Sequence, residues 1–177
     1  MQNLRVPTLV VFKGLPGTGK STLAKGLCQQ TGWPLVERDI IKEELLRGGT
    51  PDSEVGLKSH QAMWQQAEGF IQEGMSCICD TNLNQPVILD DLKEIEKGIR
   101  VKILIVECVA DEEVMRDRIE VRRDKGLLPF WIDSWEKYQQ YKTSEKNQGD
   151  FEILYPKLEV NTNHQVDLEE VTRWITE

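Results

Sequence analysis

The chain has 177 residues, 39% of them apolar and 29% charged, which excludes a disordered segment and fits one globular domain with its own hydrophobic core. A net charge of −8 argues against a broad nucleic-acid-binding surface, which is normally basic, but leaves room for a narrow basic pocket. No run of about 18 or more apolar residues occurs that could cross a bilayer, and Met1 to Pro7 holds no apolar signal segment. A cytoplasmic protein is expected, with no membrane partner and no obligate protein partner.

The apolar run Thr8 to Phe12 reads as a parallel strand buried on both faces. Lys20 to Gln30 reads as a helix that stops near Gly32. Trp33 to Val36 is a short second strand. Asp39 to Leu46 is a short helix with Asp39 at its cap. The turn residues of Arg47 to Ser53 form a loop. A longer helix follows from about Ser53 to Glu73, where Leu57, Met63, Trp64, Ala67, Phe70 and Ile71 recur at helical spacing. Met75 to Cys79 is a third strand, closed by Asp80. The next helix begins near Pro86 and carries Val87, Ile88, Leu92 and Ile95. Val101 to Val106 is the fourth strand, and Asp111 to Arg123 a helix with a basic end. Asp133 to about Lys142 is helical, with Trp135 and Tyr138 three apart. Lys142 to Asp150 is a polar, mobile surface connection. Leu158 to Val160 is a fifth strand, and Asp167 to Ile175 the last helix.

Strands separated by helices call for right-handed crossovers. The expected fold is α/β: a five-stranded parallel sheet in a three-layer sandwich with helices on both faces. It forms a single domain over 1–177.

The segment Gly14-Leu15-Pro16-Gly17-Thr18-Gly19-Lys20-Ser21 fits the phosphate-loop pattern G-x-x-x-x-G-K-[ST]. A strand precedes it and a helix follows, so the sandwich is expected to be of the P-loop nucleotide-hydrolase kind. Glycines let the backbone curl until successive N–H groups point at phosphate oxygens, and the helix N-terminus adds partial positive charge. Lys20 is expected at the β- and γ-phosphates, Ser21 at Mg²⁺ and Thr22 at the α-phosphate. The expected cofactors are ATP and Mg²⁺.

Asp39 follows the second strand, on the side of the sheet where ligands collect. A carboxylate there can take the proton of an attacking hydroxyl, or cap the helix. Asp80 ends the third strand, where an acidic residue holds Mg²⁺ directly or through water. Thr81 follows it, whereas a motor-type ATPase more often has Glu there to activate water. Arg118 and Arg122 share one helical face. They lie in a candidate lid, about 116–131, whose arginines would neutralise charge developing on a transferred phosphoryl group. The competing reading is a solvated face in which they pair with Glu112, Glu113 and Glu120.

At these residues the chain resembles the kinase portion of phage-type polynucleotide 5′-kinases, within the broader group of P-loop kinases. Four blocks carry the likeness: Gly14 to Thr22, Arg38-Asp39, Asp80-Thr81-Asn82-Leu83-Asn84, and Arg118 with Arg122. It continues more weakly through Pro129, Ile132, Asp133 and Tyr138. The resemblance implies phosphoryl transfer from ATP to an acceptor hydroxyl. Asp39 would be the general base, Lys20 and Ser21 would serve phosphates and Mg²⁺, Arg122 would be the lid arginine, and Thr81 would lie near the acceptor. Lys42 stands where the family has an arginine on an acceptor phosphate, and Arg38, beside Asp39, would join it at the acceptor. The acceptor is either a nucleic-acid 5′ end or a small alcohol such as a sugar, nucleoside or antibiotic. A nucleotide-dependent ATPase switch is the competing class, and the Asn-Lys-x-Asp motif of GTPases is absent.

Cys28, Cys77, Cys79 and Cys108 sit in apolar segments and read as small buried hydrophobes. Trp64 and Trp174 fit apolar helix faces. Trp131 and Trp135 are candidates for the wall of an acceptor pocket. His60 and His164 lack metal-like spacing and read as surface or structural residues.

Overall fold

A computed structural model describes residues 6–124, 132, 134–145, 147–149 and 151–177. Five strands, β1 (Thr8–Lys13), β2 (Leu35–Glu37), β3 (Cys77–Asp80), β4 (Lys102–Val109) and β5 (Lys157–Asn161), form one sheet in the order β2-β3-β1-β4-β5. Every pairing is parallel. The helices are α1 (Lys20–Thr31), α2 (Arg38–Arg47), α3 (Asp52–Gln72), α4 (Val87–Gly98), α5 (Glu112–Asp124), α6 (Trp135–Lys142) and α7 (Leu168–Thr176).

The two-residue period of a strand sorts the core into two layers. Leu9, Val11, Cys77, Cys79, Ile103 and Ile105 face one way and pack against Ile41 of α2, Met63, Trp64, Ala67 and Ile71 of α3, and Ile88, Leu92 and Ile95 of α4. Val10, Phe12, Ile78, Leu104 and Val106 face the other way, onto Leu23, Ala24 and Leu27 of α1 and Val171 and Ile175 of α7. This is the expected sandwich. Cys77 and Cys79 share a face, and all four cysteines are free thiols, Cys28 half-buried and the others buried. Trp64 lies in the core and donates its indole N–H to Asp91 at 3.1 Å. Trp174 packs at the edge of the second layer. A third cluster, Met115, Ile119 and Tyr138 with Trp135 against it, joins α5 to α6.

Several boundaries differ from the sequence reading. β2 starts at Leu35, leaving Trp33 outside it. β4 runs on to Val109, because the Glu107 carboxylate that interrupts its apolar run is bridged by Lys13 and Lys157. The cap of α2 is Glu37, whose side chain makes no capping bond, so Asp39 sits inside the first turn. A carboxylate there is favoured by the helix dipole instead of by a capping bond. Leu57 is 67% exposed; the first turns of α3 bury Val55 and Ser59 in its place. Asp167 does cap α7, accepting from the Glu169 and Glu170 amides at 2.9 and 3.2 Å. Of the expected lid, 116–124 belongs to α5. Gly126 to Trp131, with Pro129, and Asp133 fall outside the described residues. The 142–150 connection is tied to the site by the Gln148 amide, which donates to the Asn84 carbonyl at 2.9 Å. No described helix is long and apolar enough to cross a membrane.

The order β2-β3-β1-β4-β5 brings three chain segments to one rim. The loop after β1, Arg38-Asp39 after β2 and Asp80 at the end of β3 all meet there, beyond the carboxyl ends of the strands.

Candidate active site

The loop between β1 and α1 is shaped by close approach. Gly14 has φ 143°, and a Cβ on it would lie 2.5 Å from the Cys108 carbonyl oxygen at the end of β4. Only glycine passes there. The Gly14 amide donates to the Asn82 carbonyl at 3.2 Å, fixing the loop to the segment after β3. Gly19, at φ 83°, caps α1 without a side chain, so the first amides of that helix open toward the loop. Inside the loop the Leu15 carbonyl accepts from Lys20 Nζ at 2.9 Å and from the Thr18 hydroxyl at 2.7 Å.

Lys20 is buried, and burial holds its ammonium pKa below the ordinary lysine value. The charges of Asp80, Cys108 and Asp39 oppose that shift, and Arg122 reinforces it. Asp80, Asp39 and Arg122 thus all lie within electrostatic reach of the one ammonium. Burial raises the pKa of Asp80, against Lys20 and a hydrogen bond from the Ser21 hydroxyl, while Asp39 and Glu37 add to the rise. Ser21 and Asp80 therefore offer one hydroxyl and one carboxylate oxygen side by side. No cluster of three or more His, Cys, Asp or Glu side chains able to hold a metal occurs among the described residues. Such a sparse, all-oxygen donor set suits Mg²⁺, which keeps several waters and takes one or two protein oxygens together with phosphate.

Arg118 is differently placed. Its guanidinium donates to the Gly17 carbonyl at 3.2 Å, to the Thr162 hydroxyl at 3.0 Å and to the Thr162 carbonyl. Thr162, just beyond β5, donates its hydroxyl to the Thr18 carbonyl at 2.7 Å. A Cβ on Gly19 would meet both Arg118 and Thr162 at 3.4 Å. These two side chains clasp the phosphate loop from outside. Thr162 carries no sequence signal for this, since the fold alone brings the end of β5 beside the loop.

On the β2 side, Glu37 pairs with Asp80 in the sheet register, so Arg38 and Thr81 emerge next to each other. Thr81 is 2% exposed and its hydroxyl has no hydrogen-bond partner among the described residues. Arg38 is buried enough to lower its guanidinium pKa, with Asp39 and Tyr141 nearby. Tyr141 Oη accepts from the side-chain amides of Asn82, at 3.3 Å, and of Asn84. Leu83 between them has φ 41° with its side chain fully buried, a left-handed conformation that a leucine adopts only when its surroundings hold it there. Trp135 stacks on Tyr138, ring centroids 4.5 Å apart, within the α5–α6 cluster.

Of the two readings of His60, surface or structural, its position supports the second. It is half-buried against α2, and its Nδ1 is buried without a hydrogen-bond partner among the described residues. Burial first, then the charges of Arg38 and Lys42, lower its pKa to about 3. The unfolded chain thus binds a proton below about pH 6.5 that the folded chain refuses, so folding stability must fall as pH drops from 6.5 toward 3. The slope contributed by His60 approaches at most about 1.4 kcal/mol per pH unit. His60→Gln is expected to remove this component. Urea unfolding of both proteins between pH 7 and pH 4 measures it, and a difference independent of pH would contradict it. The helical period did carry a signal here, because His60 stands three and four residues before the buried Met63 and Trp64.

Fold and loop together define a P-loop nucleotide-binding protein of the kinase-like α/β type. A family model described as an AAA domain matches residues 9–140, well over half of the chain, and the chain belongs to that family. Among curated proteins it is 27% identical over 126 residues to the uncharacterized protein Rv2004c of Mycobacterium tuberculosis and to Mb2027c of Mycobacterium bovis. The match covers 64% of this chain but only 25% of each relative. Among solved structures, a candidate kinase of Chloroflexus aurantiacus superposes with TM-score 0.81 at 21% identity, covering 97% of this chain and 98% of that one. A sugar kinase of Janibacter gives 0.66 at 17%, covering 95% and 91%. The APS kinase CysC of Mycobacterium tuberculosis, in complex with AMPPNP and APS, gives 0.64 at 14%, covering 96% and 95%. These likenesses establish the fold.

Proposed function

We propose that the protein transfers the γ-phosphoryl group of ATP to a hydroxyl of a small alcohol. The observation that carries this reading is the meeting of Lys20, the Ser21–Asp80 pair and Asp39 on one rim. The loop from Gly14 to Gly19 cradles the phosphates: the amides of Leu15, Gly17 and Gly19 face them, those of Gly14 and Thr18 hold the loop's shape through the Asn82 and Leu15 carbonyls, and Pro16 shapes the turn. Lys20 neutralises the β- and γ-phosphates, and Thr22, in the first turn of α1, serves the α-phosphate. Ser21 and Asp80 would hold Mg²⁺, which supplies charge neutralisation at the β- and γ-oxygens. Asp39 accepts the acceptor's proton as its oxygen bonds to phosphorus and the bond to the ADP oxygen breaks. Arg122 stabilises the charge that develops. Arg38, Lys42 and Thr81 face the acceptor.

The bonds of Arg118 support a positioning role for it, not a share in the transition state. Thr162→Val removes the hydroxyl that joins Arg118 to Thr18 and leaves a buried carbonyl and a guanidinium N–H short of a partner. It is expected to lower stability by about 1–3 kcal/mol and to raise KM for ATP more than it lowers kcat, while Thr162→Ser preserves both. Chemical denaturation and steady-state kinetics test this; equal behaviour of the two variants would contradict it.

The experiment for the function is a panel of alcohols with ATP labelled in the γ-position, including sugars, sugar acids, nucleosides and a 5′-hydroxyl oligonucleotide. The Arg38-Asp39 and Asp80-to-Asn84 blocks keep the oligonucleotide on the panel as the second reading. The small-alcohol reading expects labelled ester from a small acceptor. Rapid hydrolysis that no alcohol accelerates would favour an ATPase switch.

A further inference from the structure

We infer that Arg38, Lys42 and His60 form a subsite for an oxyanion carried by the acceptor, so that the acceptor is a small alcohol bearing a phosphate, sulfate or carboxylate group. The inference rests on the phosphotransfer reading and narrows it. Three polar atoms at this rim, Arg38 Nε, His60 Nδ1 and Thr81 Oγ1, are buried with no hydrogen-bond partner among the described residues. Buried polar groups are nearly always paired, and an orphaned set in one place marks where a ligand completes the bonding. The three converge for topological reasons. The Glu37–Asp80 register sets Arg38 beside Thr81. Arg38 and Lys42 are one helical turn apart on α2, which packs along α3, and both charges act on His60.

The chemistry of the set selects an anion. A half-buried guanidinium, its Nε enclosed, offers planar donors matched to a carboxylate or phosphate. Lys42 adds a second positive charge. His60 stays neutral between them, so it can donate one ring N–H to an oxyanion without adding a third cation. Asp39, one residue from Arg38, remains the base, and an anchored oxyanion on Arg38 would orient the neighbouring hydroxyl toward it. The chain as a whole carries −8, which favours a small acid that fits a local basic pocket over a long polyanion.

The chain has two histidines, so ¹⁵N-histidine labelling reads the subsite directly, with His164→Gln assigning the spectrum. Sulfate is titrated into protein saturated with AMPPNP and Mg²⁺, which keeps it off the phosphate loop. The expected result is a saturable shift of the His60 ring nitrogens and none at His164. Arg38→Gln and His60→Leu should each weaken sulfate about tenfold. His60→Leu should keep or raise the thermal midpoint, because it removes an unpaired buried polar atom. Absence of a saturable His60 response overturns the subsite. So does a His60→Leu protein that loses stability but binds sulfate as before. The phosphotransfer reading is scored separately, by kcat/KM for acidic and neutral alcohols of matched skeleton. An acidic preference of about tenfold or more, lost in Arg38→Gln, supports the subsite. A neutral preference, or an oligonucleotide preferred over every small acid, overturns the assignment of a small acidic acceptor. Sulfate binding without transfer to any alcohol removes the kinase reading and leaves the subsite standing.

Discussion

Replacing Lys20 by alanine is expected to lower phosphoryl transfer by about 10³-fold or more while the protein still folds. The side chain is 8% exposed, yet it does little for the core. Its ammonium donates to the Leu15 carbonyl, which keeps the Thr18 hydroxyl as a donor when the lysine is gone. What is lost is a positive charge inside a desolvated site, where burial already opposes its ionised form and Asp80 and Asp39 favour it. Such a charge acts far more strongly on phosphate oxygens there than it would in water. Steady-state turnover at saturating ATP, with circular dichroism and a cooperative unfolding curve as controls, makes the test. Turnover near the wild-type rate would show that the loop does not carry the reaction. A protein that fails to unfold cooperatively would show that Lys20 is structural.

Asp39→Asn is expected to keep nucleotide affinity and to lose transfer by about 10²–10⁴-fold, the range for a removed general base. The amide has nearly the carboxylate's shape but cannot take the hydroxyl proton. Because Asp39 lies in the first turn of α2 and not at its cap, the substitution also forfeits a helix-dipole interaction of about 0.3–1 kcal/mol. That loss is too small to unfold the chain, so stability and catalysis separate cleanly. Titration with ATP-Mg²⁺ and transfer assays on the variant decide the matter. Unchanged transfer would place the base elsewhere, and lost nucleotide binding would make Asp39 a structural residue of the phosphate site.

The residues that were legible in the sequence are those governed by local rules. The phosphate loop is contiguous, and its glycines answer to backbone geometry that any sequence reader can state. The buried strands β1, β3 and β4 announce themselves as apolar runs, and Asp80 marks the end of one. Legibility failed where partners come from distant parts of the chain. Thr162 reaches the loop only because β5 lies beside β4, and nothing around Thr162 in the sequence hints at Thr18. β4 reads as ending at Val106 because Glu107 breaks the apolar run, and the two lysines that neutralise it sit on β1 and β5. Tyr141 and the two asparagines it joins are separated by more than half a hundred residues, as their sequence separations of 59 and 57 show. Asp39 reads as a cap because Asp is favoured there, whereas the strand–helix junction turns two residues earlier, at Glu37. Arg118 shares a helical face with Arg122, and spacing alone could not tell that one grips the loop while the other lies near Lys20.

The most direct test of the central claim is the fate of the γ-phosphoryl group. Wild-type protein, Lys20→Ala and Asp39→Asn are incubated with ATP labelled in that group, with and without the preferred alcohol of the panel. Esterified and inorganic phosphate are then separated and counted. A phosphotransferase with this site yields labelled ester that depends on the alcohol, falls in both variants, and outweighs inorganic phosphate. Label released only as inorganic phosphate, at a rate indifferent to every alcohol, would contradict the account.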